Sequence, residues 1–290
     1  KMNKLIEELQ RLYHLEQLVG VEGMAGIASG ESASLTPEFI ARWLGGEAQA
    51  SFNLLGSDGL VNAMVIGFDR ASDWDAVAGL YQGIQDDLEL PAPAISVLGS
   101  AGYQLWLSLA ESVPLAEARF FLEALRLKYL PDVSLSGLHC IPDTAQSRVA
   151  LVPAYNNLTG RWSAFIDPSM GAMFVEESGL GMAPNMDRQA EMLSRLESMK
   201  ARDFLRARES LRTEADANLA IQNECAIQQN PSHPRSGTAR RDQSTLEVGN
   251  NFTDPKAFLL AVMNDASASS RDRIEAARAL LPYCHGPASE

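Results

Sequence analysis

The stretch from residue 61 to residue 130 restricts the fold more than any other part of this chain. It opens with VNAMVIGF (61–68), an apolar run bounded by polar residues and too short for a buried helix, so it reads as a strand covered on both faces. From Ser72 to Leu88 the period changes: Trp74, Val77, Tyr81, Ile84 and Leu88 recur every three or four residues, the spacing of an amphipathic helix. Ser72 is placed to cap this helix, and Asp73 and Asp75 suit its positive end. Beyond Pro91 and Pro93, the β-forming runs AISVL and YQLWLSL are joined by Gly-Ser-Ala-Gly, a hairpin signal. Pro114 then opens a second helix, LAEARFFLEALRLKYL, closed by Pro131. The order strand, helix, hairpin, helix predicts 61–68, 94–98 and 103–109 as neighbours in one sheet, with helices 72–88 and 114–130 packed on it. The fold class is α/β (α+β).

The flanking sequence divides by composition. Residues 4–19 carry Leu5, Leu9, Leu12 and Val19 on one face of a predicted helix within an N-terminal segment, 1–34. Thr36-Pro37 is a cap followed by proline at the first helical position; Phe39, Ile40, Trp43 and Leu44 follow, and Gly45-Gly46 stops the helix. The main domain runs over 35–185, its last third turn-rich with β-forming runs SRVALVPAY and RWSAFIDP. Residues 186–228 form a polar helical extension, 229–250 a linker rich in Pro, Ser and Gly, and 251–290 a small unit of two short helices.

Charge bounds the partners. The 290-residue chain carries a net charge of −13, so tight, sequence-independent binding to nucleic acid by the whole surface is disfavoured, despite Arg-rich stretches at 195–212 and 235–241. No apolar run is long enough to cross a bilayer, and the opening residues lack the apolar block of a signal peptide. Three scattered cysteines, Cys140, Cys225 and Cys284, do not make a disulfide framework. The expectation is a cytoplasmic protein with no membrane partner. His139-Cys140 and Cys284-His285 supply zinc-type ligands without the spacing of a zinc site, and read as buried cysteines beside exposed histidines. Gly99–Gly102 leads into a strand with no Lys-Ser/Thr after it, so it is a turn rather than a P-loop.

Taken in order, VIGFDRASDWDAV, VLGSAGYQLWLSL, VPLAEARFFLEAL and RWSAFIDP resemble the archaeo-eukaryotic primase (primase-polymerase) superfamily over roughly residues 35–185. The resemblance implies a primase-like sheet. On one of its strands two carboxylates one residue apart hold two magnesium or manganese ions, and a histidine on another contacts the nucleotide phosphate. This chain departs from that pattern. The first carboxylate position is Gly67, the second is Asp69, and the histidine position is Gln104; Asp167 stands where a third carboxylate belongs. Asp69 and Asp167 are thus the candidate metal ligands, and Gln104 and Ser100 the candidate nucleotide contacts. No catalytic residue and no cofactor is expected; an active enzyme would use Asp69, Asp73, Asp75 and Asp167 with Mg or Mn. Asp73 and Asp75 otherwise read as acids at a helix N-terminus, and Asp69 equally well as a strand-end residue. Residues 254–285 resemble a helical module of terminase small-subunit-like phage proteins. The implied function is that of a catalytically degenerate primase-like protein of a bacterial mobile element, binding nucleic acid weakly or a replication or defence protein. The alternatives are a working primase-polymerase with a rearranged metal site and an acidic, nucleic-acid-mimicking inhibitor of a host protein.

Overall fold

A computed structural model describes residues 4–15, 18–20, 32–33 and 36–228; the region 230–290, which includes the C-terminal unit and nearly all of the linker, lies outside them. Along the chain, α1 (Lys4–Tyr13) leads to β1 (Leu18–Gly20), β2 (Ser32–Ala33), α2 (Pro37–Leu44) and β3 (Ala50–Asn53). The central portion follows as β4 (Leu60–Phe68), α3 (Trp74–Asp86), β5 (Ala94–Val97), β6 (Tyr103–Pro114) and α4 (Leu115–Tyr129). Short strands β7 (Leu138–Ile141), β8 (Arg148–Ala150), β9 (Ala154–Asn156) and β10 (Arg161–Ile166) precede α5 (Met186–Ser194) and α6 (Ala201–Gln228). A six-stranded sheet runs in the order β7-β4-β6-β5-β10-β9, and a four-stranded sheet in the order β2-β1-β3-β8. Every pairing is antiparallel, so the fold is α+β.

The alternation of side chains along β4 and β6 separates two cores. Met64, Ile66 and Phe68 of β4, with Tyr103, Leu105 and Leu107 of β6, face one way and pack with Val77, Leu80 and Ile84 of α3 and Phe121 and Leu125 of α4. Ala63, Val65 and Trp106 face the other way, against Leu5, Leu9 and Leu12 of α1, Trp43 of α2 and Phe52 of β3. Both faces of the central strands are therefore dry, which is why 61–68 is a continuous apolar run. The predicted neighbours 61–68, 94–98 and 103–109 do share one sheet, in the order β4-β6-β5.

The stretches read as an N-terminal segment and a helical extension lie in the same compact unit as the sheet. Phe204 of α6 meets Phe121 of α4 with ring centroids 5.0 Å apart, and Phe204, Ala207 and Leu211 are buried in the first core. Arg206 pairs with Glu89, Arg208 with Glu117, and Lys128 with Glu214.

Three local readings need correction. The helix predicted over 4–19 ends at Tyr13, because His14 takes a left-handed φ of 49° and Leu18 enters β1. Ser72 does not cap α3: a 3-10 turn, Ala71–Asp73, precedes it, and Asp73 pairs instead with Arg70 at 3.3 Å. The helical run from 185 is interrupted at 195–200, where Met199 donates to Ser108 O at 2.9 Å and lies against β6. Thr36 does cap α2, its hydroxyl accepting from Phe39 N at 3.2 Å. Among the described residues no helix is long and apolar enough to cross a membrane.

The hairpin between β5 and β6 depends on Gly102, which has φ +80° and leaves room for a Cβ only 1.8 Å from Phe68 O. Gly102→Ala must strain the backbone and push β4 aside, a cost of about 2–4 kcal/mol. The expected outcome is a lower urea midpoint at unchanged m-value; a midpoint equal to wild type would contradict the described approach of the turn to β4.

Candidate functional site

β4 leaves the sheet at Phe68 and delivers Asp69 into the connection to α3, where Asp69 N donates to Gly137 O at 2.9 Å. Just inside this end, four strands contribute one row of registered residues: His139 of β7, Gly67 of β4, Gln104 of β6 and Ser96 of β5. Registered residues of antiparallel strands share a face, here that of Val65 and Trp106. Asp69, two residues beyond Gly67, projects to the same side. His139 Nε2 stands 2.9 Å from Asp69 Oδ2, and the two side chains are 45% and 52% exposed. An ionised carboxylate only accepts, so Nε2 carries the proton of this pair and Nδ1 is left for another partner.

The opposite flank of Gly67 is built from the core outward. Trp106 Nε1 donates to Ser96 Oγ at 2.9 Å, and Ser96 Oγ donates to Gln104 Oε1 at 3.4 Å. With Oε1 engaged, the carboxamide of Gln104 turns its Nε2 away from Ser96. No fully buried side-chain nitrogen or oxygen lacks a partner among the described residues, so Nε2, which has none, reaches solvent. Gly67 itself has no positive φ, and a Cβ there would meet His139 Cβ at 3.6 Å and Gln104 Cγ at 4.0 Å, ordinary contact distances. Neither backbone geometry nor packing requires glycine at this position.

The other candidates separate into two groups. Ser100 is exposed in the turn whose Gly102 abuts the 68–69 backbone, at the same sheet end as Asp69. That turn is braced by Thr159 Oγ1 donating to Gly99 O at 2.6 Å and Gly102 N donating to Ser178 Oγ at 3.1 Å. Asp167 belongs elsewhere. It follows Ile166, which pairs with Ile95, so its row is that of Ala94, Trp106 and Val65 rather than that of Gly67. Three strand steps of about 4.8 Å and four residue steps of about 3.3 Å put Asp69 and Asp167 on the order of 15–20 Å apart. Asp167 caps the 3-10 turn Pro168–Phe174, accepting from Ser169 Oγ at 2.6 Å and Ser169 N at 2.9 Å, and these bonds hold its carboxyl below the usual range. Asp73 is paired with Arg70, and Asp75 sits exposed in the first turn of α3. Asp69 and Asp167 do not converge on one ion, and among the described residues no three His, Cys, Asp or Glu side chains do.

The residue that sequence reasoning missed is His139, weighed only as half of a His-Cys zinc pair. Its signal, the short run Leu-His-Cys-Ile, is too weak to mark a strand, and only pairing with β4 reveals that it flanks Gly67. Its neighbour Cys140 faces the other core, and burial pushes the thiol up to about 11, so it is neither a ready nucleophile nor a ready zinc ligand at neutral pH.

No family model matches the chain, and no curated protein does. Among solved structures it is similar to the AEP domain of the cyanophage S-2L primase-polymerase, at 11% identity and a TM-score of 0.37, over 67% of this chain and 98% of that one.

Gly67→Asp tests the row directly, because it adds a carboxylate one residue from Asp69 where a Cβ already fits. The variant should unfold within about 1 kcal/mol of wild type. In calorimetric titration it should bind Mn²⁺ at least about tenfold more tightly than wild type, since carboxylate number tunes the affinity of hard cations. Equal, undetectable binding in both proteins would contradict the placement of residues 67 and 69 on one side of the strand, within reach of a common cation.

Proposed function

We propose that this protein is a primase-like module that has lost nucleotidyl transfer and works by binding nucleic acid weakly through phosphate. The observation that carries the reading is the row His139–Gly67–Gln104 beside Asp69. Within it, Gly67, Asp69 and Gln104 stand where the sequence resemblance implies two carboxylates and a histidine, and of these only the Asp69 carboxylate is present. In-line phosphoryl transfer on two metal ions needs several oxygen ligands close together to neutralise the attacking and leaving oxygens. Asp69 is committed to His139, and Asp167 caps a turn far across the sheet. What is left at the sheet end is a donor, Gln104 Nε2, and an acceptor, His139 Nδ1, on either side of an open glycine. Such a notch suits a phosphate oxygen or the edge of an unstacked base. The Ser100 hydroxyl, exposed on the adjoining turn, is available to the same ligand.

The net charge of −13 sets the strength of this binding. Few phosphates can be neutralised against such a background, so contact is local and salt-sensitive. Geometry disfavours a rearranged, working metal site, because the carboxylates it would need do not meet. No resident cofactor is required by this reading; a place on a bacterial mobile element is what the sequence resemblance implies, and the cytoplasm is the compartment that fits the scattered cysteines. The terminase-like resemblance of 254–285 lies outside the described residues and adds nothing to it.

Primer synthesis and primer extension, assayed with Mg²⁺ and with Mn²⁺, should give no product for wild type. Product that disappears in both Asp69→Ala and Asp167→Ala would mean a working site and contradict the proposal. Fluorescence anisotropy with labelled single-stranded DNA should show dissociation constants of about 10–100 µM at low salt, weakening as salt rises. His139→Ala should weaken binding by about fivefold, the worth of one ordinary hydrogen bond. Absence of binding at every salt concentration would overturn the nucleic-acid reading and leave a protein as the partner.

A further inference from the structure

The six-stranded sheet has two edges, and they are treated differently. At the β9 edge, Gln49 Nε2 donates to Tyr155 O, and Gly46 lies against Trp162 and Tyr155. The β7 edge has no such cover: among the described residues, no further strand and no side chain hydrogen-bonds to the outer side of Leu138–Ile141. β7 is short, four residues followed by Pro142, but within it the edge is otherwise undefended. Its register with β4 is regular, and it holds no lysine, no proline and no bulge.

Beside this edge runs a groove of about 570 Å³ between β7 and α4. Two large apolar side chains line it while staying exposed, Phe120 of α4 (42%) and Leu135 before β7 (66%), and Leu127, 55% exposed, follows Phe120 by seven residues and so continues the same helical face beyond the groove. The groove is also electrically balanced, with Arg119 and Arg126 against Glu123 and Asp143. On a chain of net charge −13, two copies repel each other over most of their surface. A locally neutral, partly apolar patch beside an open strand is where that repulsion is smallest. Nucleic acid gains nothing from a groove without net positive charge.

We propose that the β7 edge and the exposed face of α4 form the interface of a twofold homodimer. β7 pairs antiparallel with its own copy, joining two six-stranded sheets into one. A twofold contact is self-complementary, so a surface holding both charges and its own apolar residues can meet itself. The paired α4 helices cover Phe120 and Leu127, and open strand N–H and C=O groups find partners. Because the axis stands across the joined sheet, both Asp69–His139 pairs lie on the same face of it. The dimer does not depend on the nucleic-acid reading and is tested without it.

Sedimentation velocity of the full chain over about 1–100 µM should show a concentration-dependent species of twice the 31.5 kDa chain mass. Phe120→Glu and Leu127→Glu, tested separately because either could disturb folding, should each weaken dimerisation at least tenfold while circular dichroism stays unchanged. Hydrogen exchange should show amides within 138–141 protected at high concentration in wild type and open in the variants. A monomer throughout the range would overturn the proposal. So would a dimer of unchanged affinity in both folded variants, or a dimer in which 138–141 exchange as fast as in the monomer.

Discussion

The pairing of β4 with β6 is the interaction on which the other elements depend. It is the longest register in the molecule, from Leu60↔Pro114 to Phe68↔Tyr103, with a shift between Val61 and Ala63. Its two faces nucleate the two hydrophobic cores, one under α3 and α4 and one under α1, α2 and the small sheet. A slip of β4 by one residue against β6 would turn Ala63 and Val65 toward α3 and bring Met64 and Ile66 to the second core, so the pattern of side-chain sizes on both faces fixes the register. That same register sets Gly67 beside Gln104, and through β7 beside His139. The polar row is thus a direct extension of the packing, placed where the two dry faces give way to solvent at the strand ends.

The burial on both faces also explains why so much of the centre was legible. Apolar residues at a period of two or in a continuous run, changing to a period of three or four, are strong local signals, and β4, α3, β5, β6 and α4 all announce themselves that way. The elements that escaped are those whose sequence is short or whose conformation is set from a distance. β7 has four residues with a histidine and a cysteine in the middle, and it is a strand only because β4 accepts it. β3 and β1 are similarly brief, and the left-handed residue at His14 that ends α1 is a position more often given to glycine or asparagine. Asp167 illustrates a different failure. Its place in the chain, after an aromatic and apolar run, suggested a ligand, but strand register sends it to the far end of the sheet. Distance between side chains on separate strands is a property of pairing, and linear order does not contain it.

On the proposed reading, the scaffold is retained while its chemistry is thinned. Gly67 is not demanded by the backbone, since a larger side chain fits there without a close contact. Gln104 keeps hydrogen-bonding ability without charge, held by the relay from Trp106 through Ser96, and His139 supplies an imidazole from the adjacent strand. On the proposed reading, such a surface meets phosphate through hydrogen bonds and has little with which to hold a pair of divalent ions.

The central claim is therefore that the notch around Gly67 meets nucleic acid directly and is not a metal centre. The most direct measurement is nuclear magnetic resonance of the His139 imidazole together with the backbone amides of residues 66–69 and 104, under two separate titrations. The account predicts that single-stranded oligonucleotide shifts these resonances selectively, and that substoichiometric Mn²⁺ leaves them no broader than the rest of the acidic surface. Selective paramagnetic broadening of Gly67, Asp69, Gln104 and His139 by Mn²⁺, with no response to oligonucleotide, would contradict it.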